Sequence, residues 1–389
     1  MNEIELLKKL VSFQSVTPSD GGGLGFVEEF MQGWQARWIC GGQGKEATKN
    51  LFLRKQFNAE GKTPVKLCFA GHIDVVPADK FWSKPPFEAT LEEGFLYGRG
   101  TQDMKGGVAA FLAACKEASE FNGEISILLT SDEEGDGKFG TKFALEELAR
   151  EGLLPEFVVV AEPTCDTRFG DTIKVGRRGS INGVLRSGGR SGHAAYPQKC
   201  RNPIHLCAEA LSKICGAKLC EKDEFFEATT LVVTDVRAGM EVCNVTPSEL
   251  KVMFNVRNAP RVSKEDVKAL VEAAFSGVEF ELQLTQPSLP FLTNPRSKVV
   301  QNLTQILTQK CGFAPSLNCA GGTSDARHFA ALGVDVVEFG VVNDRIHACD
   351  ERVEITQVTQ LKEVFAELIK SFEGGFGGFG TKFSAQIQN

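Results

Sequence analysis

The chain has no Cys-X-X-Cys pair among its 12 cysteines, no apolar run long enough to span a membrane, no cluster of lysine and arginine, and no internal repeat. Each absence excludes something. Scattered cysteines in a chain of 389 residues, which can bury a large core without staples, point to reduced thiols and a cytoplasmic protein. Without a long apolar stretch there is no transmembrane helix and no membrane partner to expect. The opening MNEIELLKKLVSFQSV reads as an amphipathic helix with Ile4, Leu7 and Leu10 on one side, and not as a signal peptide. A formal net charge of -7 with no basic run argues against nucleic acid as a partner, because phosphate recognition needs a basic face. Hydrophobic residues at 42% and charged residues at 24% describe a soluble globular protein, neither disordered nor fibrous.

What is there is an alternation. Apolar runs at 65–70 (VKLCFA), 125–130 (ISILLT) and 157–162 (FVVVAE) alternate with amphipathic stretches at 106–118 and 143–152. That pattern predicts βαβ units, an α/β fold and a mostly parallel sheet over residues 1–177. Residues 178–291 change character, to longer β-rich pieces and two helices, and read as an inserted α+β domain with an antiparallel sheet. The βαβ character resumes over 292–372, which makes the first domain discontinuous. Residues 373–389, EGGFGGFGTKFSAQIQN, are biased to Gly and Phe and are expected to form a flexible tail.

The charged motifs fall where the apolar runs stop. GHIDVVP (71–77), TSDEEG (130–135) and AEPT (161–164) each end a predicted strand, the edge at which open α/β sheets place ligands. With GRGTQDMKGG (98–107) and VVNDRIHACDE (341–351) they supply His72, Asp103, Glu134, Glu162 and His347. Imidazole and carboxylate donors in this mixture suit two neighbouring divalent ions, with Asp103 free to bridge and Glu133 left over for proton transfer. Asp74, two residues beyond His72, is placed to hold the second ring nitrogen. Each residue has a plainer alternative: a satisfied strand-end histidine for His72, a helix N-cap for Asp103, a solvated acidic loop for Glu133 and Glu134. His193, in SGGRSGHAAYP, is either a loop histidine or a donor to a substrate carbonyl oxygen.

With these motifs assembled, the chain resembles the co-catalytic zinc aminoacylase and carboxypeptidase family. The similarity runs from about residue 3 to 371. It rests on GHIDVVP, the Trp82 and PPF after it, LYGRGTQDMKGG, SDEEGDGKFGTK, AEPT, GRRGS, SGHAAYPQKCRNPI, GGTSDAR and the closing IH. The resemblance implies a zinc-peptidase-like catalytic domain holding two Zn2+, with Co2+ able to take their place. His72, Asp103 and Glu162 would hold one ion, Asp103, Glu134 and His347 the other, and Glu133 would be the base. It also implies a homodimer formed through the inserted domain, with His193 reaching the neighbouring subunit's active site. Substrate carboxylates would be held by Arg178, Asn244 and Arg257, with Lys174, Ser180, Gly322, Thr323 and Ser324 nearby; guanidinium forks suit a carboxylate geometrically. The implied reaction is amide hydrolysis of a small N-succinyl diamino acid. Its rivals are acetylornithine deacetylase or another N-acyl amino-acid amidohydrolase and, from another class, a metal-free binding or scaffold relative. One departure from the family pattern stands before the final IH, where this chain has Asp344 and Arg345 instead of a hydroxyl residue and a small neighbour.

Overall fold

Apolar runs without polar alternation suit strands buried on both faces. In the computed structural model, which describes residues 1–57 and 64–372, four such strands lie side by side and parallel: Gly123–Thr130, Val65–His72, Phe157–Val160 and Asp335–Glu338. Antiparallel neighbours extend them. The full order is Gln35–Gly41, Thr48–Phe57, Gly123–Thr130, Val65–His72, Phe157–Val160, Asp335–Glu338, Thr172–Lys174 and Ser316–Asn318. The sheet is therefore mixed, with its parallel pairs at the centre. The tail at 373–389 lies outside the described residues.

Helix Gly106–Glu117 is buried from Gly106 to Cys115 and packs against the closing helix Ile355–Ser371. Phe69 of the sheet joins the two, its ring 5.8 Å from Phe111 and 5.2 Å from Phe365. Each such buried aromatic contributes about 1.5–3 kcal/mol by removal from water, so this layer anchors the sheet on which the site is built. The N-terminal helix runs Glu3–Ser12, closed by a capping box between Asn2 and Glu5. Its buried face is Leu6, Leu7, Leu10 and Val11; Ile4 is only partly covered.

The described chain divides into two compact units. The first comprises Met1–Val175, Thr293–Leu317 and the chain from His328 onward; the second comprises Gly176–Leu292 with Asn318–Arg327. The second unit is built on a five-stranded antiparallel sheet in the order Lys218–Cys220, Thr229–Ala238, Glu249–Val256, Ser180–Gly188, Glu281–Ser288. Strict alternation along Glu249–Val256 turns Leu250, Val252, Phe254 and Val256 inward. They meet Cys207 and Ile214 of helix Pro203–Ile214, and Val267 and Val271 of helix Lys264–Ala274.

Candidate metal centre

Three adjacent parallel strands bring three motifs to one edge. His72 closes Val65–His72 in register with Thr130, and Ala70 is in register with Val160, so Asp132–Glu134 and Glu162 emerge beside it. The backbone there is approached closely. A Cβ on Gly107 would come within 2.2 Å of the Ala161 carbonyl oxygen, and one on Gly340 within 2.3 Å of the Glu162 carbonyl oxygen. Glycine is needed at both positions for helix and strand to flank Glu162.

All five expected ligands converge in the first unit. Asp103 lies between the two histidines: Oδ1 is 3.3 Å from His72 Nε2 and Oδ2 is 3.2 Å from His347 Nε2. Glu134 Oε1 is 2.8 Å from His347 Nε2, and Glu162 Oε1 is 3.9 Å from His72 Nε2. His72, Asp103 and Glu134 each offer a ligand atom within 4.8 Å of the others, a group that could hold a metal ion. The carboxylate of Asp103 is turned to the imidazoles, not to a helix end. The following helix begins at Gly106, after Lys105, with no side-chain cap.

Asp74 departs from its expected part. His72 Nδ1 stands 2.9 Å from the backbone oxygen of Asp74 and 3.6 Å from Oδ1, so the ring N–H donates to the carbonyl. The strand ends at His72, and beyond it the alternation that would place Asp74 alongside the ring no longer applies. Its buried carboxylate accepts instead from the backbone N–H of Glu133 (3.4 Å) and Glu134 (3.1 Å), fixing the acidic loop. The carbonyl still does what the carboxylate was expected to do. With Nδ1 as donor, the lone pair of Nε2 faces Asp103 and Glu162.

The carboxylates around the two histidines set the electrostatics of the site. Burial works to lower the His72 pKa, but the hydrogen bond to Asp103 and the charges of Glu133, Glu162 and Asp74 outweigh it, leaving the imidazole well above its ordinary value. His347, bonded to Asp103 and Glu134, is raised from 6.5 to about 10. Burial raises Glu162 well above the carboxylate range, Asp103 adding to it, and lifts Asp74 to about 6. Asp103 is the exception: burial alone would raise it, yet the two histidines pull it below the usual range.

A pH dependence follows. His347 favours the folded ion-free protein fully below about pH 6.5, and that contribution is lost as pH rises through about 10. Buried Lys105, lowered by burial to about 7, acts oppositely over an overlapping window, so melting temperature is a poor readout. Metal binding is the clean one, because an ion needs the neutral ring and displaces its proton. Zinc affinity is expected to rise between about pH 6.5 and 9, with proton release visible as a buffer-dependent calorimetric heat. Equal affinity at both pH values, with no proton release, would contradict this electrostatic picture.

The second unit, taken by itself, groups the remaining residues. His193 and Val245 pair in a short antiparallel ladder, and the neighbouring Ala194 N–H donates to the Asn244 carbonyl at 2.9 Å. His193 is exposed, and its Nδ1 accepts from the Ala195 N–H at 3.1 Å. In the neutral ring this leaves Nε2–H as an outward donor. Arg178 is half-buried, with its Nε lacking a hydrogen-bond partner; burial, and the Arg257 guanidinium beside it, hold its pKa below the usual value. A guanidinium under the repulsion of a second one is a favourable partner for a carboxylate. Ser180 is buried and accepts from Asn255 Nδ2 at 2.9 Å. Gly322, Thr323 and Ser324 follow Ala320, whose carbonyl accepts from Arg177 at 2.9 Å. Lys174 belongs to the first unit, buried in register with Glu338.

Comparison with known proteins bears directly on this arrangement. Residues 68–371 match Peptidase family M20/M25/M40. The chain belongs to that family. Among curated proteins it is similar to the succinyl-diaminopimelate desuccinylase of a Sulfurovum species, 53% identical over 96% of this chain and 100% of that one, and to that of a Nitratiruptor species, 53% identical with the same coverage. Among solved structures it resembles aminopeptidase PepT from Bacillus cereus, with a TM-score of 0.78, 21% identity and coverage of 95% of this chain and 98% of that one. It also resembles Bacillus subtilis YXEP, described as a dinuclear metal binding peptidase from the M20 family, with a TM-score of 0.68, 13% identity and coverage of 94% and 96%. At these identities the structural likenesses establish the fold alone.

In this M20 chain several residues that organise the centre lie inside the quoted motifs, yet nothing in the sequence assigned them a role. Glu351 is fully buried and accepts from the backbone N–H groups of Gly100, Gln102 and Asp103 and from Arg99. Gln102 reaches the loop that carries His347: its Nε2 donates to Asp344 and its Oε1 accepts from the Arg345 N–H at 2.9 Å. The departure from the family pattern at Asp344 thus has a local partner. Acidic clusters of the kind His-Ala-Cys-Asp-Glu give no sign that one member is buried; only the strand pairing of Arg352–Glu354 with Phe95–Tyr97 brings Glu351 beneath Gly100. All 12 cysteines are free, and no helix among the described residues is long and apolar enough to cross a membrane.

Proposed function

We propose that the chain is a two-zinc amidohydrolase that converts N-succinyl-LL-2,6-diaminopimelate and water to succinate and LL-2,6-diaminopimelate, a step toward lysine and diaminopimelate in the cytoplasm. The observation that carries the substrate is the near full-length identity of 49–53% to curated succinyl-diaminopimelate desuccinylases. The donor set supports the chemistry. Two imidazoles and three carboxylates, one of them presenting an oxygen to each histidine, fit a pair of zinc ions, and Co2+ would be accommodated by the same donors. His72, Asp103 and Glu162 would hold one ion and Asp103, Glu134 and His347 the other.

Bound zinc would supply Lewis acidity and make a water molecule acidic enough to attack at neutral pH. The residues do the rest. Glu133, its backbone held by Asp74 and its charge felt by His72, takes the proton from the attacking water and returns it to the departing amine. His193 offers Nε2–H to the oxygen of the scissile carbonyl from the neighbouring subunit of a homodimer formed through the second unit. Arg178, Asn244 and Arg257 hold the substrate carboxylates, and the unpartnered Nε of Arg178 supports that assignment. An assay of the zinc-loaded protein against succinyl-diaminopimelate and acetylornithine tests the reading. The succinylated substrate is expected to have a kcat/KM larger by at least about 10²-fold, about 3 kcal/mol of transition-state discrimination. Preference for acetylornithine would transfer the chain to the deacetylases.

A further inference from the structure

Loops far apart in the sequence meet at one buried ion pair. Arg99 and Glu351 lie 2.9 Å apart with side chains 3% and 1% exposed. Glu351 Oε2 also accepts from Gly100 N–H (3.0 Å), while Oε1 accepts from Gln102 N–H (2.9 Å) and Asp103 N–H (3.1 Å). Arg99 reaches the other way. It donates to the carbonyls of Ala348 (3.2 Å), His347 (3.3 Å) and Pro77 (3.4 Å), and its guanidinium carbon lies 4.9 Å from the centre of the Trp82 ring. The pair therefore touches the segments that carry His72, Asp103 and His347.

A buried ion pair contributes little net stability, since desolvation offsets most of the attraction. Geometry is what this one supplies. His347 has φ +60°, a left-handed backbone that a histidine keeps only where its surroundings hold it, and Arg99 grips its carbonyl and the next. On the opposite side, Glu351 gathers the N–H groups of the turn from which Asp103 projects. His347 Nε2 and Asp103 Oδ2, at 3.2 Å, meet across this pair.

We propose that Arg99 and Glu351 are positioning residues that set the spacing of Asp103 and His347, and so the ion site these two share with Glu134. The proposal rests on the two-ion reading given above, and one experiment separates the two. Chelator-treated wild type, Glu351→Gln and Arg99→Lys are titrated with zinc by calorimetry, and kcat and KM are measured on the loaded proteins. Wild type takes up two zinc ions; fewer than two would overturn the two-ion reading and the positioning role with it. Glu351→Gln keeps the shape and loses the charge. It is expected to weaken one of the two ions by about 10–100-fold, the usual cost of removing support behind a ligand, while the other changes far less. The kcat falls at limiting zinc and recovers when zinc is raised, and KM stays near the wild-type value. Arg99→Lys keeps the charge but cannot span the carbonyls, and the same selective loss is expected of it; should the glutamine variant fail to fold by circular dichroism, this variant decides. Two ions bound at wild-type affinity in a folded variant, even one with a lower melting temperature, would mean that the pair only stabilises the fold and would overturn the proposal.

Discussion

Replacing Glu133 by alanine is expected to lower kcat on succinyl-diaminopimelate by about 10²–10⁴-fold, the range of general acid–base contributions, while zinc content stays at two per chain. The reason is the division of labour within one loop. Glu134 is committed to His347 at 2.8 Å, whereas Glu133 is anchored through its backbone N–H on Asp74 and its charge is felt by both His72 and Glu162. A carboxylate whose charge reaches both sides of the centre is placed to move a proton there. Elemental analysis and steady-state kinetics on the same preparation test it. Wild-type turnover in the variant removes Glu133 from the reaction; loss of zinc together with turnover makes it a ligand instead. The variant also tests the proposed homodimer. Mixed with His193→Ala chains under conditions that allow subunit exchange, it is expected to regain part of the activity, because one mixed site then holds both an intact Glu133 and an intact His193. No recovery from exchanged dimers would place His193 outside the neighbour's site.

The second large effect is expected from Asp103→Asn. Asp103 stands within 3.3 Å of both histidines, one oxygen to each, and an amide cannot supply two anionic oxygens. Loss of support behind a ligand already costs about 10–100-fold in metal affinity, so loss of a bridging ligand should cost more at both positions. Zinc stoichiometry is expected to fall from two to below one, and turnover with it. An independent signature lies in the ion-free protein. Asp103 is the largest cause of the raised His347 pKa, so that value, about 10 in the wild type, should fall toward the ordinary histidine range. Histidine proton resonances followed over pH would show it. An asparagine variant that retains two ions, or an unmoved His347, would show that Asp103 does not bridge.

Much of this centre was legible because metal chemistry demands particular side chains at particular ends of strands. His72, Glu134 and Glu162 follow apolar runs too uniform for anything but buried strands, and the carboxyl edge of a parallel sheet is where such residues can converge. Asp74 shows where the pattern fails: two-residue alternation predicted its carboxylate on the ring, but the strand stops at His72 and the backbone carbonyl takes that contact. Glu351 and Arg99 were illegible for a related reason. Their partners are mostly backbone N–H and C=O groups, which every residue carries, so no residue type marks the interaction.

By itself the sequence determined the chemical inventory: which imidazoles and carboxylates are available, that they follow buried strands, and that the chain is α/β with a second β-rich part. Tertiary structure alone decided how that inventory is used. It set which oxygen of Asp103 meets which histidine, which atom orients His72, and which of the many acidic residues is buried to hold two loops together. Composition and local periodicity act over a few residues, whereas these choices depend on contacts between positions as far apart as Arg99 and Glu351, and such contacts exist only once the sheet has brought the loops to one edge.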